Sequence, residues 1–135
     1  MTLLLDVPRD VLGSQRPRVA RVPDCVSSDG ADAVELCRVA GLNLDPWQEF
    51  VLASSLGYRE DGKWASFEVG LTVSRQNGKG SILEARQIAG LFVVGERLQV
   101  HSAHEFSTSS KHFKRLEAVI RANEDLLAKM KRSDK

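Results

Sequence analysis

The spacing of apolar residues along this chain changes several times, and each change predicts an element. Residues 1 to about 28 are rich in Pro, Arg, Val and Asp and hold no sustained period, which predicts an extended arm. A short helix is predicted from Asp29 to Ala40, with Val34 and Cys37 on one face and Gly41 placed to end it. Asp45-Pro46-Trp47-Gln48 predicts a second helix start: Asp45 can cap, Pro46 suits the first helical position, and Gln48 stands where a capping-box side chain reaches back. Phe50 and Val51 carry that apolar face on towards Gly57. After the turn signal Asp61-Gly62, Phe67, Val69, Leu71 and Val73 alternate with Glu68, Gly70 and Thr72, which is strand period.

The alternation stops at the polar run 74–80, and Ile82, Leu83, Ala85, Ile88, Ala89 and Phe92 then give a helical stripe from about Lys79 to Val93. Gly95 closes that helix, and Leu98 with Val100 predicts a second short strand ending at His101-Ser102-Ala103. Phe113, Leu116, Val119 and Ile120 place a last helix, with a break at Asn123 before Leu126, Leu127 and Met130. Strand, helix, strand in this order predicts a parallel pair with a right-handed crossover. Two strands alone do not complete an α/β domain.

Composition adds bounds rather than direction. A chain of 135 residues is enough for one compact domain and too short for two. With 42% hydrophobic and 27% charged residues it matches an ordinary globular protein, and a net charge of +1 does not by itself suggest a nucleic-acid partner. The C-terminal stretch is more basic: from Lys111 onward eight Lys/Arg face four Asp/Glu. That excess reads first as a solvated helix surface and second as a DNA- or partner-facing patch. Cys25 and Cys37 fit no common zinc spacing and are read as reduced thiols. The opening MTLLLDVPRD is too short an apolar run for a signal peptide or a membrane span, so a cytoplasmic protein is expected.

The chemistry concentrates in the polar run. A strand, then Arg75-Gln76-Asn77-Gly78-Lys79, then a helix is the arrangement phosphate binding requires. Gly78 lets the backbone turn so that amides can converge on an anion. The helix beginning near Lys79 adds free N–H groups and the positive end of its dipole. Lys79 supplies an ammonium for the β and γ phosphates, and Arg75 a second positive contact. Two positions depart from the P-loop pattern: Val73 stands at the first glycine, and Gly80 at the Ser/Thr that ligates Mg2+. Ser81 would project about 100° further round the helix, which makes it a poor substitute for that hydroxyl.

Taken together, Pro46-Trp47-Gln48, Val73-Ser74-Arg75-Gln76-Asn77-Gly78-Lys79-Gly80 and His101-Ser102-Ala103-His104-Glu105 resemble the ATPase domain of tailed-phage terminase large subunits, from about Leu44 to the C-terminus. The resemblance implies an α/β fold, part of a P-loop NTPase of the RecA-like, additional-strand type, with parallel strands flanked by helices. Residues 1–43 would be an arm with a short helix, and 44–135 the N-terminal portion of the ATPase domain, carrying its Walker A part only. It further implies ATP and Mg2+ as cofactors, an adenine contact from Gln48, phosphate contacts from Arg75 and Lys79, and a nucleotide-binding set completed by Gln76, Asn77, Gly78, Gly80 and Ser81. Segment 101–105 would couple nucleotide state to DNA. The complete motor's partners would be double-stranded DNA, a capsid portal and a small terminase subunit, in the cytoplasm of a bacterial host.

Gln48 has a second reading as a pure helix cap, His101 and His104 as ordinary loop histidines, and Trp47 and Trp64 as packing residues. Among the acids after the loop, Glu84 falls within the loop helix and Glu96 at its end, leaving Glu105 as the one with geometric logic for catalysis. No apolar run ends in Asp-Glu. The competing function is therefore a non-catalytic remnant or docking module of the packaging machinery.

Overall fold

The computed structural model describes residues 13–133, and side chains within 13–131; the first twelve residues of the arm and the last charges of the basic stretch lie outside the described residues. Its elements are β1 (Ser27–Ser28), α1 (Gly30–Val39), α2 (Pro46–Ser54), β2 (Gly57–Tyr58), α3 (Lys79–Ala89), a π-helical turn (Gly90–Val94), α4 (Phe106–Ala122) and α5 (Glu124–Ser133).

Helix α3 is central. On one side Ala85 and Ala89 meet Ala33 and Cys37 of α1 and Leu52 of α2, with Leu56 just beyond α2, all buried. On the other side Ile88 packs with Leu116 and Ile120 of α4 and Leu126 of α5. Leu52, Leu56 and Ile88 are fully buried, and each contributes about 1.5–3 kcal/mol through the apolar surface it removes from water. The small residues on α3 let the N-terminal pair of helices approach closely. The same closeness recurs at Gly30, where a side chain would begin only 2.7 Å from the Cα and carbonyl oxygen of Ala53 on α2.

The helix signals act as their chemistry dictates. Pro46 opens α2, and Gln48 Oε1 accepts the Asp45 N–H at 2.7 Å, the reciprocal half of a capping box. The free amide of Trp47 donates to Gln15 Oε1 at 3.4 Å, which ties the arm to the start of α2. Asn123 breaks α4 from α5 and caps the latter, its Oδ1 accepting the Leu126 N–H at 3.1 Å.

The strands differ from expectation. Among the described residues the only sheet is the antiparallel pair β1–β2, two residues each, with Ser27 opposite Tyr58 and Ser28 opposite Gly57. The segments 67–73 and 98–100 carry no ladder, so the predicted parallel pair does not form among the described residues. Their alternating side chains instead face solvent: Phe67, Leu98 and Val100 are more than four-fifths exposed. Strand period requires a neighbouring strand to satisfy its backbone groups and a surface to cover its apolar face. Among the described residues no strand pairs with these segments. Trp64 stacks on Tyr58 at 4.6 Å, with the Arg86 guanidinium 5.5 Å from its ring centre, which makes it a packing residue.

Candidate phosphate site

The polar run leads directly into α3. Gln76 (φ 60°) and Gly78 (φ 75°) both take the left-handed conformation, which folds the loop tightly before the helix begins. Asn77 Nδ2 donates to Ser74 Oγ across the turn. Gly78 is the N-cap of α3 and has no side chain to occupy the first-turn amides; the Gly78 carbonyl accepts the Ser81 N–H at 3.1 Å. The amides at the start of a helix have no partner within it, and together with the dipole they favour an anion.

Two side chains set this loop. Gln48, 5% exposed, receives the Asp45 amide on Oε1 and donates from Nε2 to the Gly78 carbonyl at 3.0 Å, so the cap of α2 also holds the cap of α3. A side chain on Gly78 would begin 2.4 Å from Gln48 Nε2, so the contact needs glycine on space as well as on backbone conformation. Lys79 folds back across the loop, its Nζ donating to the carbonyls of Val73 and Ser74, each at 2.9 Å. An ammonium has three donors, which leaves one for a ligand.

A cavity of about 310 Å³ opens over this structure, lined by residues 76–81 and by Arg115 from α4. A groove of about 790 Å³ adjoins it, sharing Gln76, Asn77 and Gly78, and runs between residues 13–23 and 66–73 past Trp47 and Phe50 of α2. Of the residues singled out in sequence, Gln76, Asn77, Gly78, Lys79, Gly80 and Ser81 thus meet at one cavity. Arg75 is exposed and lines neither space, and Gln48 is buried and lines neither. Glu105 is the exposed N-cap of α4, accepting from Ser107 Oγ at 3.3 Å, away from the cavity lining. Glu96 forms a two-pronged pair with Arg86, at 2.6 and 3.0 Å, which holds its carboxyl below the usual range.

Sequence reasoning missed the polar seam between α3 and α4. Glu84, one turn beyond Gly80, is 2% exposed and pairs with Arg115, whose Nε lies 3.0 Å from Oε1 and whose Nη2 donates to Oε2 at 3.3 Å. The Oε1 contact is an ion pair without hydrogen-bond alignment. Burial pushes the Glu84 carboxyl up, against the Arg115 charge that pulls it down. His112, one turn before Arg115, bonds Gln87 Oε1 at 2.5 Å and stacks on His101 at 3.9 Å. Burial, then His101 and Arg115, holds the His112 ring below its ordinary value. His104 is exposed. The one signal in sequence for this seam is spacing: Gly80 and Glu84 are four apart, His112 and Arg115 three apart, so each pair shares a helix face.

The arrangement suits a polyphosphate: a glycine turn, free amides at a helix start, a lysine with a donor to spare and a second cation. It suits a protein-held Mg2+ poorly. Gly80 offers no hydroxyl, and among the described residues Ser81 has the only side-chain hydroxyl in the cavity lining and no carboxylate lines it. Among the described residues no group of three or more His, Cys, Asp or Glu could hold a metal ion. Nor is any described helix long and apolar enough to cross a membrane. Comparison with known protein families, with curated proteins and with solved structures finds no match for the chain.

Proposed function

We propose that the loop at residues 74–81 binds the phosphates of ATP, and that the chain is the ATP-binding part of a DNA-packaging motor of the terminase large-subunit type. The observation that carries the phosphate reading is the left-handed Gly78 at the N-cap of α3, fixed by Gln48 and spanned by Lys79. The terminase reading is supported by the sequence resemblance of three landmarks in order: residues 46–48, 73–80 and 101–105. A bound nucleoside triphosphate would supply the phosphoanhydride bond whose hydrolysis drives such motors. The chain's own residues would grip and orient it: amides of α3 and the Lys79 ammonium at the phosphates, and the adjoining groove beside Trp47 for the nucleoside. On this proposal, segments 67–73 and 98–100 take strand partners of the family's α/β sheet, and double-stranded DNA, a portal and a small subunit belong to the complete motor in a bacterial host's cytoplasm.

A docking role without hydrolysis is the second reading. It is favoured by the segments that leave Phe67, Leu98 and Val100 exposed, and by a cavity lining that has, among the described residues, no carboxylate to act on an attacking water.

The melting temperature with and without millimolar Mg-ATP, on the parent chain and on Lys79→Ala, tests the first reading. Ligand at a hundredfold excess over its Kd adds about 2.7 kcal/mol of stability. A shift in the parent that disappears in Lys79→Ala supports a working phosphate loop. No shift in the parent leaves the docking reading.

A further inference from the structure

Arg115 was no part of the sequence pattern, yet among the described residues it is the only one from outside the loop and the first turn of α3 that lines the loop cavity. Its guanidinium lies over that first turn, with Nη1 4.0 Å from the point where a side chain on Gly80 would begin. Nε and Nη2 face Glu84, at 3.0 and 3.3 Å, while Nη1 makes no hydrogen bond to any described residue. The pair is lopsided. Glu84 is 2% exposed and Arg115 is 64% exposed, so the cation stands at the water-facing end of a contact whose acid is fixed in the interior. A guanidinium offers five donors in a planar fork that matches phosphate oxygens as well as a carboxylate.

We propose that Arg115 is a phosphate ligand of the loop site, shared between the bound polyphosphate and Glu84, and that it supplies the positive charge at the place where a hydroxyl at position 80 would have held Mg2+. The inference rests on the phosphate reading of the loop and adds three things to it. Gly80 becomes the space through which Arg115 reaches the ligand. Glu84 becomes a competitor, because every hydrogen bond it keeps on Arg115 is one the phosphate lacks. Binding becomes less dependent on magnesium, since a protein cation neutralises part of the anion's charge.

The test is calorimetric titration of the full chain with ATP and with inorganic tripolyphosphate, with magnesium and again in EDTA. The variants are Lys79→Ala, Arg115→Gln, Arg115→Lys and Glu84→Gln. Loss of one charge-assisted hydrogen-bonding partner should weaken both ligands about tenfold or more in Arg115→Gln, with partial recovery in Arg115→Lys. Glu84→Gln keeps the shape of the side chain and releases the arginine, so it should tighten both ligands several-fold. A purely structural Glu84–Arg115 pair gives no such gain. Parent-like affinity in Arg115→Gln beside lost affinity in Lys79→Ala overturns the role of Arg115 and leaves the phosphate loop standing. No binding by the parent removes both. Should Arg115→Gln fail to fold by circular dichroism, Glu84→Gln decides: tighter binding supports the proposal, and unchanged or weaker binding overturns it.

Discussion

Replacing Gln48 by alanine separates two roles that the sequence leaves open for this residue. The side chain is 5% exposed and makes two hydrogen bonds, from the Asp45 amide at 2.7 Å and to the Gly78 carbonyl at 3.0 Å. Each such bond contributes about 1 kcal/mol net, and burial of the one methylene that alanine lacks, Cγ, adds about 0.8 kcal/mol. The variant should therefore lose about 3 kcal/mol of stability, roughly two of it from hydrogen bonds that no neighbour replaces. Urea unfolding followed by circular dichroism measures this as a lower midpoint at unchanged slope. Binding supplies the sharper contrast. If Gln48 holds the loop, its removal loosens Gly78, and affinity for ATP and for tripolyphosphate falls by the same factor. If Gln48 reads adenine, ATP alone suffers and tripolyphosphate binds as before. A stability loss below 1 kcal/mol, or a loss confined to ATP, would refute the argument that this amide serves as the strut between two helix caps.

Two further outcomes follow from the packing. Gly30→Ala places a methyl 2.7 Å from the backbone of Ala53, so α1 and α2 must part, at about 1–3 kcal/mol; an unchanged melting temperature would mean that the two helices can slide apart freely. His112 has its pKa lowered from 6.5 by burial first, then by His101 and Arg115, with Glu84 3.8 Å from its Nδ1. A depressed folded pKa means that the unfolded chain binds the proton more tightly, so this contribution to stability is present above pH 6.5 and is lost as pH falls through the folded value. Melting temperatures of the parent should drop between pH 7.5 and acid conditions more steeply than those of His112→Gln, and parallel curves would count against the assignment. Glu84 acts with the opposite sign, since its carboxyl pKa is raised from 4.5 and its contribution fades as pH rises through the folded value.

What the sequence conveys and what it withholds divide along the range of the interaction. The starts of α2, α3 and α5 are legible because Asp45-Pro46, Gly78-Lys79 and Asn123 act within a few residues of themselves. The strand-period segments differ from expectation for a related reason. Alternation over 67–73 records a local preference for extended backbone, but a ladder depends on a neighbour that a local pattern does not specify. The site repeats the lesson with charges. Arg75 belongs to the loop in sequence but is exposed and does not line the cavity, whereas Arg115, 35 residues beyond Gly80, arrives on α4, brought there by the packing of Ile88 against Leu116 and Ile120. Gly80 shows the consequence most plainly. Compared with a P-loop pattern it is a deletion, a hydroxyl missing from a magnesium site. With α4 in place, the same missing side chain lies under the Arg115 guanidinium, whose Nη1 is 4.0 Å from the point where a serine or threonine side chain would begin. The departure from the motif and the unexpected cation thus occupy one location, and a physical account of either has to include the other.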